Sequence, residues 1–236
     1  MPQSLARRRV VRPPRSAAPS EGATRCTVSL PLQRAQLPPV PSTLLIPLAA
    51  RAHGGRYFPW LDCRDAVAPA LLARLDADVN GTLDDLHTVL HVLWRTRAIQ
   101  EAGRAFFAEH PQALGVNLGC GLTHYFQWLD GGANQWLDAD LPEVMALRRP
   151  LLPPPCPRTR HADLDLSQPG WWQRLGLPTQ HSATPVLLVC EGVLMYLPPA
   201  QVHAVLAEFA QHAPPGSRMV LDLSLIHISE PTRLLS

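Results

Sequence analysis

The pattern of apolar and polar positions divides the chain into stretches of different period. Over residues 65–110 the apolar positions recur with helical spacing. Leu71, Leu72 and Leu75 form one stripe; Leu83, Leu86, Leu90, Leu93 and Ile99 form a second, followed by Phe106 and Phe107. Asn80-Gly81 reads as a turn between two helices, with Thr82 placed to cap the second. A shorter apolar segment, Leu44, Leu45, Ile46 and Leu48, precedes them, and order is expected to begin near Thr43. Beyond His110 the runs shorten. Residues 113–118, 135–137, 158–162, 185–190 and 217–223 read as strands. Residues 143–149, with Pro142 in the first turn, and residues 200–212, on Val202, Val205, Leu206 and Phe209, read as helices, and 150–157 is a proline-dense loop. Strands alternating with helices predict a mostly parallel α/β sheet. Ligands of such sheets bind at the carboxyl ends of the strands. Gly119, Asp140, Asp163 and Glu191 all fall at such ends.

Composition changes this picture mainly at the N-terminus. The chain has 236 residues, of which 46% are hydrophobic, enough for one good-sized domain. The net charge is +2, but Arg7, Arg8, Arg9, Arg12, Arg15 and Arg25 crowd the first 25 residues against the single acid Glu21. The remainder is close to neutral, so no nucleic-acid partner is implied. Residues 1–41 hold eight of the 26 prolines and read as a disordered Pro/Arg-rich segment, or as a non-native upstream extension. A transit peptide would suit the arginines and serines, but the prolines count against its helix. No apolar stretch reaches the ~18–20 residues of a membrane span, so no membrane partner is expected. The five cysteines are odd in number and none are spaced CxxC, which predicts free thiols, a reducing compartment and a cytoplasmic location rather than a disulfide framework or a zinc site.

The candidate chemistry starts at "GVNLGCG", residues 115–121. A dinucleotide fingerprint reads GxGxxG, and the third glycine position here is His124. No P-loop lysine follows. What remains is a backbone that a ligand can approach closely, with Asp140 further on at the tip of the second strand. An acid there can accept hydrogen bonds from ribose hydroxyls. A nucleoside without a pyrophosphate fits this best, which points to S-adenosyl-L-methionine. The alternative for Asp138 and Asp140 is capping of the helix that "LPEV" opens. A nicotinamide-dependent oxidoreductase with a degenerate fingerprint is the rival function, and an inactive cofactor-binding fragment is a third.

These stretches resemble a known family. "VNLGCGL", "DADLPEVMALRRPLL", "ADL" and "LLVCEGVLMYL", with "TLLIPLAARA" and "WRTRAIQ" upstream, are similar to the leucine carboxyl methyltransferase family, in its branch of tetracenomycin polyketide methyltransferases. The resemblance runs from about Thr43 to Asp222. It implies a Rossmann-like class I methyltransferase sheet with a helical N-terminal part, truncated after the fifth strand. The expected parts are a cap region over residues 42–112, a cofactor-binding core over 113–222 and a non-native tail over 223–236, whose "LSLIHISEPTR" resembles a translated sequencing adapter. The implied activity is S-adenosylmethionine-dependent O-methylation of a carboxylate or hydroxyl on a small molecule.

The family's residues carry over one at a time. Arg95 would meet the cofactor's methionine carboxylate; Gly119 and Gly121 would line methionine and ribose. Asp140 would hold the ribose hydroxyls, Asp163 and Leu164 would flank the adenine, and Glu191 would sit beside the methionine part and the sulfonium. Without the resemblance, Arg95 reads as a solvated helix position beside Arg97. The chain also departs from the commoner pattern. Where relatives carry "LDTR", it has "LTHY", with Thr123 and Tyr125 in place of the acid and the arginine, and Gln100 replaces a common acid. A carboxylate acceptor needs no base, because it is ionised at neutral pH with a pKa of about 4. A hydroxyl acceptor would use one, and His124 and His161 are candidates, with Tyr196 as an orienting residue. Cys120 is expected to be a small loop filler, and no metal ligand set is apparent.

Overall fold

The computed structural model describes residues 42–77 and 79–222. The expectations for residues 1–41 and for the tail after Asp222 lie outside the described residues.

Helix α1 (Ser42–His53) runs through the stretch read as a short apolar segment and carries Pro47 inside it. Helices α2 (Ala68–Leu75), α3 (Asn80–Leu83) and the long α4 (Leu86–Glu109) follow. The cap of α4 is Asp85, not Thr82: its carboxylate accepts the Thr88 backbone N–H at 3.1 Å and the Thr88 hydroxyl at 2.6 Å. Thr82 is instead absorbed into the short α3 turn. Leu48, Leu71, Leu72, Leu83, Val89 and Leu93 pack these four helices into a cluster of their own.

The rest is a five-stranded, wholly parallel sheet in the order β3-β2-β1-β4-β5. Its strands are β1 (Leu114–Leu118), β2 (Gln135–Asp140), β3 (Thr159–Asp163), β4 (Val186–Cys190) and β5 (Arg218–Leu221). Between them lie α5 (Phe126–Leu129), α6 (Pro142–Leu151), α7 (Trp171–Arg174) and α8 (Pro199–His212). The helix α6 continues through Pro150, two residues into the stretch read as loop; Arg74 donates to the Pro150 and Leu151 carbonyls that its end leaves unpaired. Strands β1 and β4 are buried on both faces, which explains their continuous apolar runs. One face packs on Trp171, Trp172 and Val205, the other on Ile99, Phe106 and Phe126.

The register decides where chemistry can occur. Leu118 pairs with Ala139 and with Cys190, and Asp140 pairs with Asp163. The residues just beyond β1, β2 and β4 therefore share one edge. The connection order reverses between β1 and β4, the crevice in which open α/β sheets bind ligands.

Cys63, Cys120 and Cys190 are free and buried. Burial pushes the Cys63 and Cys190 thiols up to about 12, so they are inert. Cys156 departs from the expectation of free thiols: it is disulfide-bonded. An odd cysteine count rules out a complete framework but not a single bond.

Candidate cofactor and acceptor site

Two cavities open along the carboxyl edge, the first of about 370 Å³ and the second of about 350 Å³. They share Thr43, Leu44, Gly119, Gly192 and Tyr196, so α1 supplies a common rim. Asp140, Leu141, Val144, Leu164 and Asp165 line the first. Arg51, Thr88, His91, Arg95, Gly121 and Glu191 line the second.

The loop after β1 separates them and is held tightly. Gly119 has φ +64°, and a Cβ there would lie 2.2 Å from Val193 Cγ2. Only glycine fits both the backbone and the space. The Gly119 and Cys120 N–H groups both donate to the Ala139 carbonyl, at 2.8 and 3.2 Å. Gly121 N–H donates to Asp140 Oδ2 at 2.7 Å, and Leu141 N–H donates to Oδ1 at 2.8 Å. Asp140 thus ties the glycine loop to the residue that opens α6 without capping the helix itself, and it faces the first cavity. Burial raises its pKa, against the pull of those two donors.

Beneath the loop lies a buried ion pair that the sequence did not announce. Arg148 Nη2 donates to Asp138 Oδ2 at 2.6 Å, and its Nη1 donates to the Gly121 and Thr123 carbonyls at 2.8 and 2.7 Å. Trp136 Nε1 donates to Asp138 Oδ1 at 3.0 Å. Burial works against the Asp138 charge, but Arg148, His124 and the Trp136 hydrogen bond together outweigh it and hold the carboxyl below its usual range. The i, i+10 spacing across a strand and a helix has no periodic signature.

In the second cavity Arg95 reaches Glu191 and Asp222. Its Nε donates to Glu191 Oε1 at 2.7 Å and its Nη1 to Asp222 Oδ2 at 3.1 Å. Arg95 is therefore not the solvated position that its helix alone suggested. The other Glu191 oxygen accepts the Tyr125 hydroxyl at 2.5 Å. Arg51 Nη2 donates to Thr123 Oγ1 at 2.6 Å, and its Nη1 lies 3.7 Å from Glu191. The two positions that depart from the commoner family pattern, Thr123 and Tyr125, thus sit beside Arg51 and Glu191.

Some expected residues stand elsewhere. Asp163 is half exposed, pairs with Arg149 and lines neither cavity, because β3 is the edge strand, one strand further than β2 from the glycine loop. Leu164 does line the first cavity, and Asp165, not singled out from sequence, lines it too. His124 and His161 line neither. Both are partly buried beside the Asp138–Arg148 pair, and burial lowers His124 to about 4. Tyr196 is on the shared rim and exposed. Among the described residues no group of three or more His, Cys, Asp or Glu could hold a metal ion.

The residues present fit S-adenosylmethionine. Asp140 faces the larger cavity with both oxygens still open to further donors. Gly192, at φ +67°, leaves open the space before Arg95 Nη2: a Cβ there would stand 3.3 Å from it. A ligand carboxylate can enter where that side chain is missing.

This sheet order, with a glycine loop after β1 and an acid at the tip of β2, defines a Rossmann-like fold of the class I methyltransferase type. Within that class, the chain belongs to the leucine carboxyl methyltransferase family, whose model matches residues 51–210. It is 32% identical over 181 residues to the tetracenomycin polyketide synthesis O-methyltransferase TcmP of Streptomyces glaucescens, covering 76% of this chain and 64% of that protein. It is 29% identical over 128 residues to the S-adenosyl-L-methionine-dependent methyltransferase dpfgK of Gibberella zeae, covering 51% of this chain and 42% of that one. The chain spans less than two thirds of the length of these relatives. Among solved structures it is similar to S-adenosylmethionine-bound CalS10, an amino pentose methyltransferase of Micromonospora echinaspora, with a TM-score of 0.40, 20% identity and coverage of 58% and 56% of the two chains.

Proposed function

We propose that the chain is an S-adenosyl-L-methionine-dependent O-methyltransferase acting on a carboxylate or hydroxyl of a small molecule. One observation carries this reading: two cavities meet at the β1/β4 crevice, one with Asp140 at its wall, the other with Arg95 and Glu191. Asp140 would accept the ribose hydroxyls, and Leu164 would pack on the adenine. Arg95 would hold the methionine carboxylate through Nη2, oriented by Glu191 and Asp222. Burial works against the Arg95 charge, but Glu191 and Asp222 outweigh it and raise its pKa, so it stays cationic. Gly119 and Gly121 would let the ligand approach the backbone.

When bound, the cofactor supplies an electrophilic methyl group on a sulfonium, open to in-line displacement. The protein's contribution is then to hold the acceptor oxygen close and aligned, which can account for much of the acceleration. Glu191 would lie near the sulfonium and favour its positive charge. The part of the second cavity lined by Ile46, Pro47, Thr88, His91, Met195 and Tyr196 would receive the acceptor. TcmP's name suggests a polyketide as one acceptor class. No described helix is long and apolar enough to cross a membrane, which suits a small-molecule acceptor met in water.

Titration calorimetry with S-adenosylmethionine and with NADH tests the proposal. Binding of the former alone supports it. Binding of NADH alone would replace it with the oxidoreductase reading, and binding of neither would leave an inactive fragment.

A further inference from the structure

The family resemblance implies an acid beside the adenine at Asp163, but Asp163 ends β3 paired with Arg149 and lines neither cavity. Two residues further on the chain does reach the first cavity, where Leu164, Asp165, Leu166 and Ser167 line one end. We propose that Asp165, not Asp163, recognises the base of the cofactor by accepting its exocyclic amino group, so that the site selects a 6-aminopurine over a 6-oxopurine. The inference rests on the S-adenosylmethionine reading above and names the residue that discriminates the base within it.

Three observations carry it. First, the cavity extends from the glycine loop, with Gly119 and Asp140, to residues 164–167. With Asp140 on the ribose, the base falls toward the second end. The register supports this order: Asp140 pairs with Asp163, and Leu164 N–H donates to the Asp140 carbonyl at 2.7 Å, which sets the chain after β3 against the tip of β2. Second, Leu141, Val144, Leu164, Leu166 and Val193 give this end apolar walls suited to the faces of a flat ring, while Asp165 and Ser167 supply its polar side chains. Third, the segment is held in place. Arg174 Nη2 donates to the Asp165 and Gln168 carbonyls, each at 2.8 Å, and Asp165 Oδ1 accepts the Ser167 N–H at 2.8 Å.

The chemistry of Asp165 suits an amino group. Hydrogen bonds from Ser167 hold its carboxyl below the usual carboxylate range, so it is ionised at neutral pH. An ionised carboxylate has about four lone-pair positions and no donor, so it can accept from Ser167 and from a ligand together. Adenine presents an N–H donor at its sixth position. Hypoxanthine presents a carbonyl oxygen at the same place, which the carboxylate repels. A site built to accept an N–H rejects the analogue that lacks it. The Asp163 carboxylate is instead neutralised by Arg149 at the surface.

Titration calorimetry with S-adenosylhomocysteine and its deaminated analogue S-inosylhomocysteine tests the inference on the 236-residue chain. The wild-type chain should bind S-adenosylhomocysteine about 10-fold or more tightly than the analogue. Asp165→Asn keeps an oxygen for the Ser167 N–H but replaces the other carboxylate oxygen by an amide nitrogen. It should weaken S-adenosylhomocysteine by about 10-fold and bring the ratio of the two affinities to one or below. Asp163→Asn should leave both affinities unchanged. Equal wild-type affinity for the two ligands overturns the inference without recourse to any variant. So does an Asp165→Asn variant that keeps the wild-type ratio, even with both affinities lowered, because an acid that only shapes the loop would not move the ratio. A ratio that collapses in Asp163→Asn instead returns the role to Asp163. In each of these cases the methyltransferase reading stands. If the wild-type chain binds neither ligand, that reading falls and this inference with it.

Discussion

Replacing Arg148 by methionine would test whether the ion pair under the glycine loop holds the site together. The guanidinium is fully buried and donates to Asp138, Gly121 and Thr123. Methionine fills similar space but strands Asp138, itself 2% exposed, with Trp136 Nε1 at 3.0 Å and Asn117 Nδ2 at 3.4 Å as its donors. Removing one partner of a buried ion pair costs about 3–5 kcal/mol, a large part of the total stability of a typical domain. With a urea m value of about 2 kcal/mol/M, the midpoint should fall by about 2 M. The Trp136 indole touches the altered carboxylate and gives a local fluorescence readout beside the global one. The acid limb should change too. The folded pKa of Asp138 is depressed, so its contribution is present above the unfolded value of about 3.9 and lost as pH falls through the folded value. Without Arg148 that limb should begin at higher pH. Pairing the substitution with Asp138→Asn should recover part of the loss, because no buried charge is then left alone. A single-variant loss below about 1 kcal/mol, or plain additivity in the double variant, would refute the reasoning.

Three further outcomes follow from the same geometry. Asp140→Ala should weaken S-adenosylmethionine binding by roughly 10–100-fold in calorimetry, the equivalent of one or two charge-assisted hydrogen bonds; unchanged affinity would reduce Asp140 to a tie between the glycine loop and Leu141. Gly119→Ala forces a side chain into a φ of +64° and against Val193, so thermal unfolding should show a loss of about 2 kcal/mol or more, and a neutral result would mean that the loop relaxes freely. His124 is held neutral, with its pKa pushed down to about 4 by burial. Stability should therefore decline as pH falls from about 6.5 toward the folded value, by up to about 3 kcal/mol, and His124→Gln should flatten that slope in urea melts at stepped pH.

The alternation of short apolar runs with helical stripes was enough to read the α/β class and to place all five strands to within a few residues. That legibility has a local cause: β1 and β4 are buried on both faces, so they can carry little but apolar residues. The Thr82 cap failed because capping depends on where the previous helix ends, and α3 took up the residues that would have formed the turn. The place of Asp140 on a cavity wall was legible because an acid at a strand tip is a positional signal. Asp163 looked equivalent by that criterion. Strand order separates them, since β2 lies beside β1 while β3 lies at the edge and pairs its acid with Arg149.

By itself, then, the sequence determined the elements and the residues that must stand at strand ends, because periodicity and turn chemistry act over a few neighbours. It also carried the family, through motifs in fixed order. The tertiary structure decided everything that depends on separations of tens of residues. It joined Arg95 to Glu191 and Asp222, and it set Arg148 beneath the glycine loop. It kept His124 and His161 off both cavities, partly buried beside Asp138 and Arg148, and placed His91 on the wall of the second. A histidine is legible in sequence only as a titratable ring. Whether that ring meets a substrate or the core depends on which face of its element the packing leaves open.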